Sequence, residues 1–84
     1  MKYPVAVTIE NGVYSAEMPD FPGVITEADT LGELKVSIKE AAFGWIESEI
    51  KCGREISKPS SIEILSSNKY YDDCLWLLVD LAKN

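Results

Sequence analysis

Fourteen carboxylates, two cysteines and no histidine make up the reactive side chains of this 84-residue sequence. Without an imidazole, the hydroxyls of Ser15, Ser37 and Ser60 and the thiols of Cys52 and Cys74 lack the commonest activating base, so no nucleophilic site is expected. The two cysteines do not have a metal-ligand spacing either. A magnesium site would need carboxylates that converge, and only Glu10, Glu17 and Glu27 fall on candidate strands. Glu10 sits at a hairpin tip and Glu17 lies opposite Ala6, so they do not obviously meet. Phosphate cradling calls for a glycine-rich loop entering a helix, and Gly32 alone is too little. No catalysis, metal or cofactor is expected.

The carboxylates can still act through their field. The net charge is −6, and it is unevenly placed. Between Tyr3 and Leu34 stand Glu10, Glu17, Asp20, Glu27, Asp29 and Glu33, with no lysine or arginine among them. The remaining eight acids are balanced by all eight bases. An acidic first third repels nucleic-acid phosphate and attracts a basic partner, chiefly by speeding association. The alternative is a solvated surface that only aids solubility.

The elements that carry these groups are legible in the pattern. Tyr3 to Glu10 alternates, with Tyr3, Val5, Val7 and Ile9 on one face. Asn11-Gly12 follows, the strongest short signal for a two-residue hairpin turn. That turn pairs residues whose numbers sum to 23: Ile9 with Tyr14, Val7 with Ala16, Val5 with Met18 on the apolar face, and Thr8 with Ser15 and Ala6 with Glu17 on the other. Val13 to Met18 is therefore a second strand. Pro19 to Gly23 must turn, because two prolines cannot continue a ladder, and Val24 to Ala28 reads as a short third strand.

Thr30 and Glu33 have the spacing of a capping box, in which each side chain bonds the other residue's N–H. Leu31, Leu34, Ile38, Ala41 or Ala42, Trp45 or Ile46, and Ile50 then fall on one helical stripe. A helix is expected from about Leu31 to about Cys52, stopped by Gly53 in the left-handed conformation. Gly53 to Pro59 reads as loop, Ser60-Ser61 as a cap for one or two helical turns, and Ser66 to Asp73 as loop. Cys74 to Ala82 reads as a fourth strand, apolar on both faces: Leu75, Leu77, Val79 and Leu81 on one, Trp76 and Leu78 on the other. Such a strand is buried on both sides, yet one helix covers only one face of a small sheet. Trp76 and Leu78 are covered either by another subunit or by the loops, and an oligomer interface is the preferred expectation. Residues 1–84 form a single domain of α+β class, marginal in size and helped by a partner. No apolar run reaches the roughly 20 residues of a membrane span, and Met1-Lys2-Tyr3-Pro4 begins no signal peptide. Reduced thiols in a cytoplasmic protein are expected.

Lys2-Tyr3-Pro4-Val5, the Asn-Gly hairpin, Pro19-Asp20-Phe21-Pro22-Gly23, Asp29-Thr30-Leu31 entering a helix, Pro59-Ser60-Ser61-Ile62 and the terminal Leu-Trp-Leu-Leu-Val-Asp resemble HicB-type antitoxins, in the same order over nearly the whole chain. The resemblance implies a partial ribonuclease-H-like domain: a three-stranded antiparallel meander, one long helix and a fourth strand added to the sheet (β-β-β-α-β). It implies a role in neutralising a HicA-type toxin, a small basic mRNA-cleaving protein of double-stranded-RNA-binding-domain fold, by covering its active surface. The alternative is a solitary dimeric scaffold or regulatory protein of the same fold with no toxin. Combined with the acidic first third, the resemblance makes Asp20, Phe21, Glu27 and Asp29 the expected contacts, with Glu17 behind them. Phe21 is open to a second role, as a plug beneath the turn. Reversal of Asp20 and Glu27 to lysine is expected to spare folding. Family members commonly continue into an operator-binding domain. This chain ends at Asn84, directly after the fourth strand, so no DNA-binding domain and no direct nucleic-acid binding are expected.

Overall fold

A computed structural model of the chain describes residues 1–81. Its elements are β1 (Lys2–Glu10), β2 (Val13–Glu17), β3 (Ile25–Ala28), α1 (Leu31–Lys51), the short helix α2 (Ile62–Ser66), a single 3₁₀ turn at Lys69–Tyr71, and β4 (Leu75–Asp80). Strands run antiparallel in the order β3-β2-β1-β4, and α1 lies across one face. This is the α+β architecture expected from the sequence. Ala82, the last residue of the expected fourth strand, lies outside the described residues.

The hairpin is as the sequence requires. Asn11 and Gly12 both take positive φ, 52° and 79°, which the tight primed turn needs. Ile9 faces Tyr14, Val7 faces Ala16, Thr8 faces Ser15 and Ala6 faces Glu17. Val5 and Met18 lie beyond the paired stretch, and both are fully buried. Pro4 sits inside β1 without breaking it. Leu81 N–H donates to the Met1 carbonyl at 3.0 Å, so the odd residues of β1 bond toward β4 and the even ones toward β2. Pairing with β2 starts only at Ala6, so the N–H that Pro4 lacks has no ladder partner to lose.

Helix α1 starts where expected, with the Thr30 hydroxyl accepting from Glu33 N–H at 3.1 Å. The reciprocal half of the box is absent: among the described residues no hydrogen bond joins the Glu33 carboxylate to Thr30 N–H, and Glu33 is solvated instead. At the other end Arg54 N–H bonds the Glu49 carbonyl at 2.9 Å and Gly53 N–H bonds Ile50 at 3.0 Å. Gly53 has φ of 75°, which completes a Schellman stop. Only the middle of the apolar stripe is fully covered, by Leu34, Ile38 and Ala42. Leu31 and Ile50 are exposed. The reason is length: a 21-residue helix spans about 31 Å, while the five-residue strand beneath it spans about 17 Å.

Strand β4 differs from expectation. Its two apolar faces predict burial on both sides, yet it is a sheet edge. Val79 is buried and Leu77 and Trp76 are half-buried, whereas Leu75 and Leu78 are 60% and 57% exposed. The loops cover part of the outer face, where the Tyr71 ring leans on Trp76 at 5.3 Å between centroids. Pro4 and Ala6 are buried there too.

Candidate functional site

The turn between β2 and β3 anchors the acidic region. Met18 N–H bonds the Val24 carbonyl at 3.1 Å, Phe21 N–H bonds Met18 at 3.1 Å, and Val24 N–H bonds Phe21 at 3.0 Å. Gly23, at φ 90°, supplies the left-handed corner. Phe21 is fully buried, stacked on Trp45 at 4.4 Å and tilted against Tyr3 at 4.8 Å. Of its two expected roles the structure shows the plug, and its ring presents no surface to a partner. Asp20 is half-buried. Its Oδ2 accepts from Ser60 N–H at 3.0 Å and its Oδ1 from Ser60 Oγ at 2.5 Å. The carboxylate clamps the turn to the segment before α2, so lysine at position 20 is expected to cost stability and not, as the sequence suggested, to spare folding.

The other expected contacts are more open. The β2–β3 register sets Ser15 opposite Glu27 and Glu17 opposite Ile25. Thr26, between them, points the other way and hydrogen-bonds Ser37 of α1. Glu17, Ile25 and Glu27 therefore share the face away from the helix, with Glu17 and Glu27 diagonal neighbours about 7–8 Å apart. Ile25 is 62% exposed. Around the β3 edge an open cleft of about 530 Å³ is lined by Val13, Glu27, Ala28, Asp29, Glu33 and Ser37. Among the described residues, ion pairs join the N-terminus to Asp80 and Arg54 to Glu49; none involves Glu27, Asp29 or Glu33. No three acids or cysteines of the described residues stand close enough to hold a metal, and no described helix is long and apolar enough to cross a membrane.

Glu17 is less free than Glu27. Its Oε1 accepts the Tyr70 hydroxyl at 3.0 Å, and that bond raises the Tyr70 pKa. Burial, then the Glu17 charge, raises Tyr71 and Cys74 in turn, and burial with the Asp20 charge behind it raises Tyr3. Burial is thus the main cause for three of these groups, and the Glu17 carboxylate is the main cause for Tyr70 alone. Ser60 and Tyr70 escape notice in the sequence because each meets its carboxylate across 40 and 53 residues. Ser60-Ser61 reads there as a helix cap, and of the two Ser61 caps α2 while Ser60 bonds Asp20. The arrangement is one of carboxylates, Glu17 and Glu27, on the face away from the helix. It offers fixed anions beside an exposed isoleucine, a surface suited to a cationic protein.

The HicB-like antitoxin family of bacterial toxin–antitoxin systems matches residues 3–84. The chain belongs to that family. This HicB-like chain is 32% identical over 81 residues to a 14.9 kDa protein of Haemophilus phage HP1, covering 96% of the chain and 61% of the phage protein. It is 38% identical over 65 residues to a UPF0150 protein of Thermoplasma acidophilum, covering 76% of the chain and 94% of that protein. Its structure resembles the N-terminal domain of the Burkholderia pseudomallei antitoxin HicB, with TM-score 0.86, 30% identity, and coverage of 99% of this chain and 100% of that one. Against the longer crystal structure of the same antitoxin the TM-score is 0.85 at 32% identity, covering 95% of this chain and 62% of that one. The HicB-like chain thus spans about three fifths of the length of the phage relative and of that antitoxin. A chain in a HicA3–HicB3 toxin–antitoxin complex has the same fold, with TM-score 0.82 at 17% identity over 99% of this chain and 100% of that one.

Proposed function

We propose that this chain is an antitoxin that neutralises a small basic, RNA-cleaving toxin of HicA type by covering its active surface. The observation that carries this reading is the anionic β3 edge. Glu27, Asp29 and Glu33 lie along an open cleft that no lysine or arginine lines, and among the described residues none of the three is ion-paired, on a chain of an antitoxin family. A toxin that binds RNA must offer lysines and arginines to phosphate, and carboxylates compete for the same donors. Glu27 and Asp29 make the contact, Glu17 lies behind them beside exposed Ile25, and no chemistry is asked of the antitoxin. Asp20 and Phe21 support the surface from within. The pair forms in the cytoplasm, and the chain itself binds no nucleic acid, which its field repels. That a structurally similar chain occurs in a toxin–antitoxin complex supports the choice of partner class.

The test is co-expression with a small basic protein encoded beside this one. A stable complex and relief of growth arrest are expected. Glu27→Lys with Asp29→Lys should leave the fold intact and slow association roughly tenfold or more, with the difference shrinking in high salt. If the complex forms at the same rate with both charges reversed, the acidic edge is not the contact. If no such toxin binds at all, the solitary scaffold reading takes its place.

A further inference from the structure

The sheet face away from α1 has small side chains at its centre and large ones at its margins. Residues directly opposite one another share a face, so the strand register sets two rows there: Trp76, Ala6, Glu17 and Ile25 in one, and Thr8, Ser15 and Glu27 in the next. Between them lies a trough of about 80 Å³, with Ala6, Thr8 and Ser15 as its floor and Glu17, Ile25 and Cys74 around it. Ala6 is buried, whereas Thr8 is exposed. Three rings continue the wall on the β4 side. Trp76 meets Tyr71 at 5.3 Å between centroids, Tyr71 meets Tyr70 edge-on at 4.8 Å, and the Tyr70 hydroxyl reaches Glu17 Oε1 at 3.0 Å. Tyr70 is 69% exposed.

We infer that this trough is the socket for one arginine side chain of a basic partner protein, an inference that rests on the antitoxin reading for the partner but not for the ligand chemistry. The volume is far below the roughly 300–1,000 Å³ of a small-molecule site, and suits the head of a single side chain. Its polar groups can all accept. Glu17 keeps Oε2, and among the described residues no hydrogen bond engages the Thr8 or Ser15 hydroxyl or the Glu27 carboxylate. No ion pair of the described residues includes Glu17 or Glu27. A guanidinium is flat, carries five N–H donors and no acceptor, is weakly hydrated and stacks on aromatic rings. It can therefore use the carboxylate, the hydroxyls and the open Tyr70 ring together. An ammonium is a strongly hydrated point charge and uses them less fully. The arginine stem gains apolar contact with Ile25, which is 62% exposed. Anions are repelled by Glu17 and Glu27, and a neutral apolar group would bury the Glu17 carboxylate without a donor. The trough and the β3 edge then divide the work. The edge carboxylates act at a distance and speed encounter; the trough acts once contact is made and slows release.

Two measurements separate the socket from the identity of the partner. In the first, ethylguanidinium is titrated into the full chain alone and followed by NMR. The amides of Thr8, Ser15 and Glu17 and the Tyr70 ring should shift and saturate in the millimolar range, while ethylammonium of equal charge should shift them far less. Glu17→Gln, which keeps an acceptor for Tyr70, should abolish saturation. Glu40→Gln, an exposed acid on α1, should leave it unchanged. In the second, Ser15→Phe fills the trough with a residue that suits a strand; circular dichroism should show it folded. Its complex with the basic toxin should form at the wild-type rate and dissociate about tenfold faster or more, and Glu17→Gln should likewise speed dissociation. A wild type that binds ethylguanidinium in the trough but binds no toxin would support the socket and overturn the antitoxin reading alone. Equal shifts with the two cations, shifts confined to the β3 edge, or wild-type dissociation in both variants would overturn the socket.

Discussion

Phe21 and Trp45 lie face to face, with ring centroids 4.4 Å apart and planes within 10° of parallel. The first belongs to the turn that carries the acidic region and the second to the later half of α1, so this stack fixes the turn to the helix. Tyr3 closes the other side of Phe21, and its hydroxyl donates to the Ser57 carbonyl at 2.6 Å. Three parts of the chain meet at one buried ring.

Phe21→Ala should therefore destabilise the protein by about 3–5 kcal/mol, the range for emptying a phenylalanine site in a core. Urea unfolding followed by tryptophan fluorescence measures it. Phe21→Leu should cost less and should leave partner binding intact. A surface-contact role predicts the opposite pattern, stable variants with weakened binding.

Asp20→Ala should cost about 1–3 kcal/mol, because Ser60 loses the acceptor of both its N–H and its hydroxyl. Asp29→Ala should cost almost nothing, since Asp29 is exposed. Hydrogen exchange should show faster opening of residues 57–62 in the first variant and no change there in the second. Equal protection in both would show that the clamp does not hold this segment.

Stability should fall in alkali. The pKa values of Tyr3 and Tyr71 are raised from 10.0 mainly by burial, and that of Tyr70 mainly by its bond to Glu17; Cys74 is raised from 9.0, mainly by burial. Each group loses its proton more readily in the unfolded chain. The stabilisation is thus complete below the unfolded values and is lost as pH rises through the higher folded ones. The urea midpoint should hold up to about pH 9 and drop beyond about pH 10, and Tyr3→Phe should lessen the drop. A midpoint that stays flat well above pH 10 would contradict this.

The local patterns determined most of the fold. Asn11-Gly12 dictates positive φ, and with it the register from Glu10–Val13 to Ala6–Glu17. Thr30 and Gly53 mark the ends of α1 because capping depends on residues within a few positions of each other. Family membership was legible as well, in the order of short motifs. What needed the tertiary structure was the fate of side chains whose partners lie far along the chain. In sequence Asp20 reads as a contact and Phe21 as either contact or plug; Ser60 captures the first, and Tyr3 and Trp45 enclose the second. Glu27 and Asp29 resemble them in sequence and stay in solvent. Strand β4 reads as fully buried from its composition, but sheet order places it at an edge. Periodicity reports which face of an element is apolar, a short-range property; which neighbour covers that face depends on contacts that only the folded chain brings together.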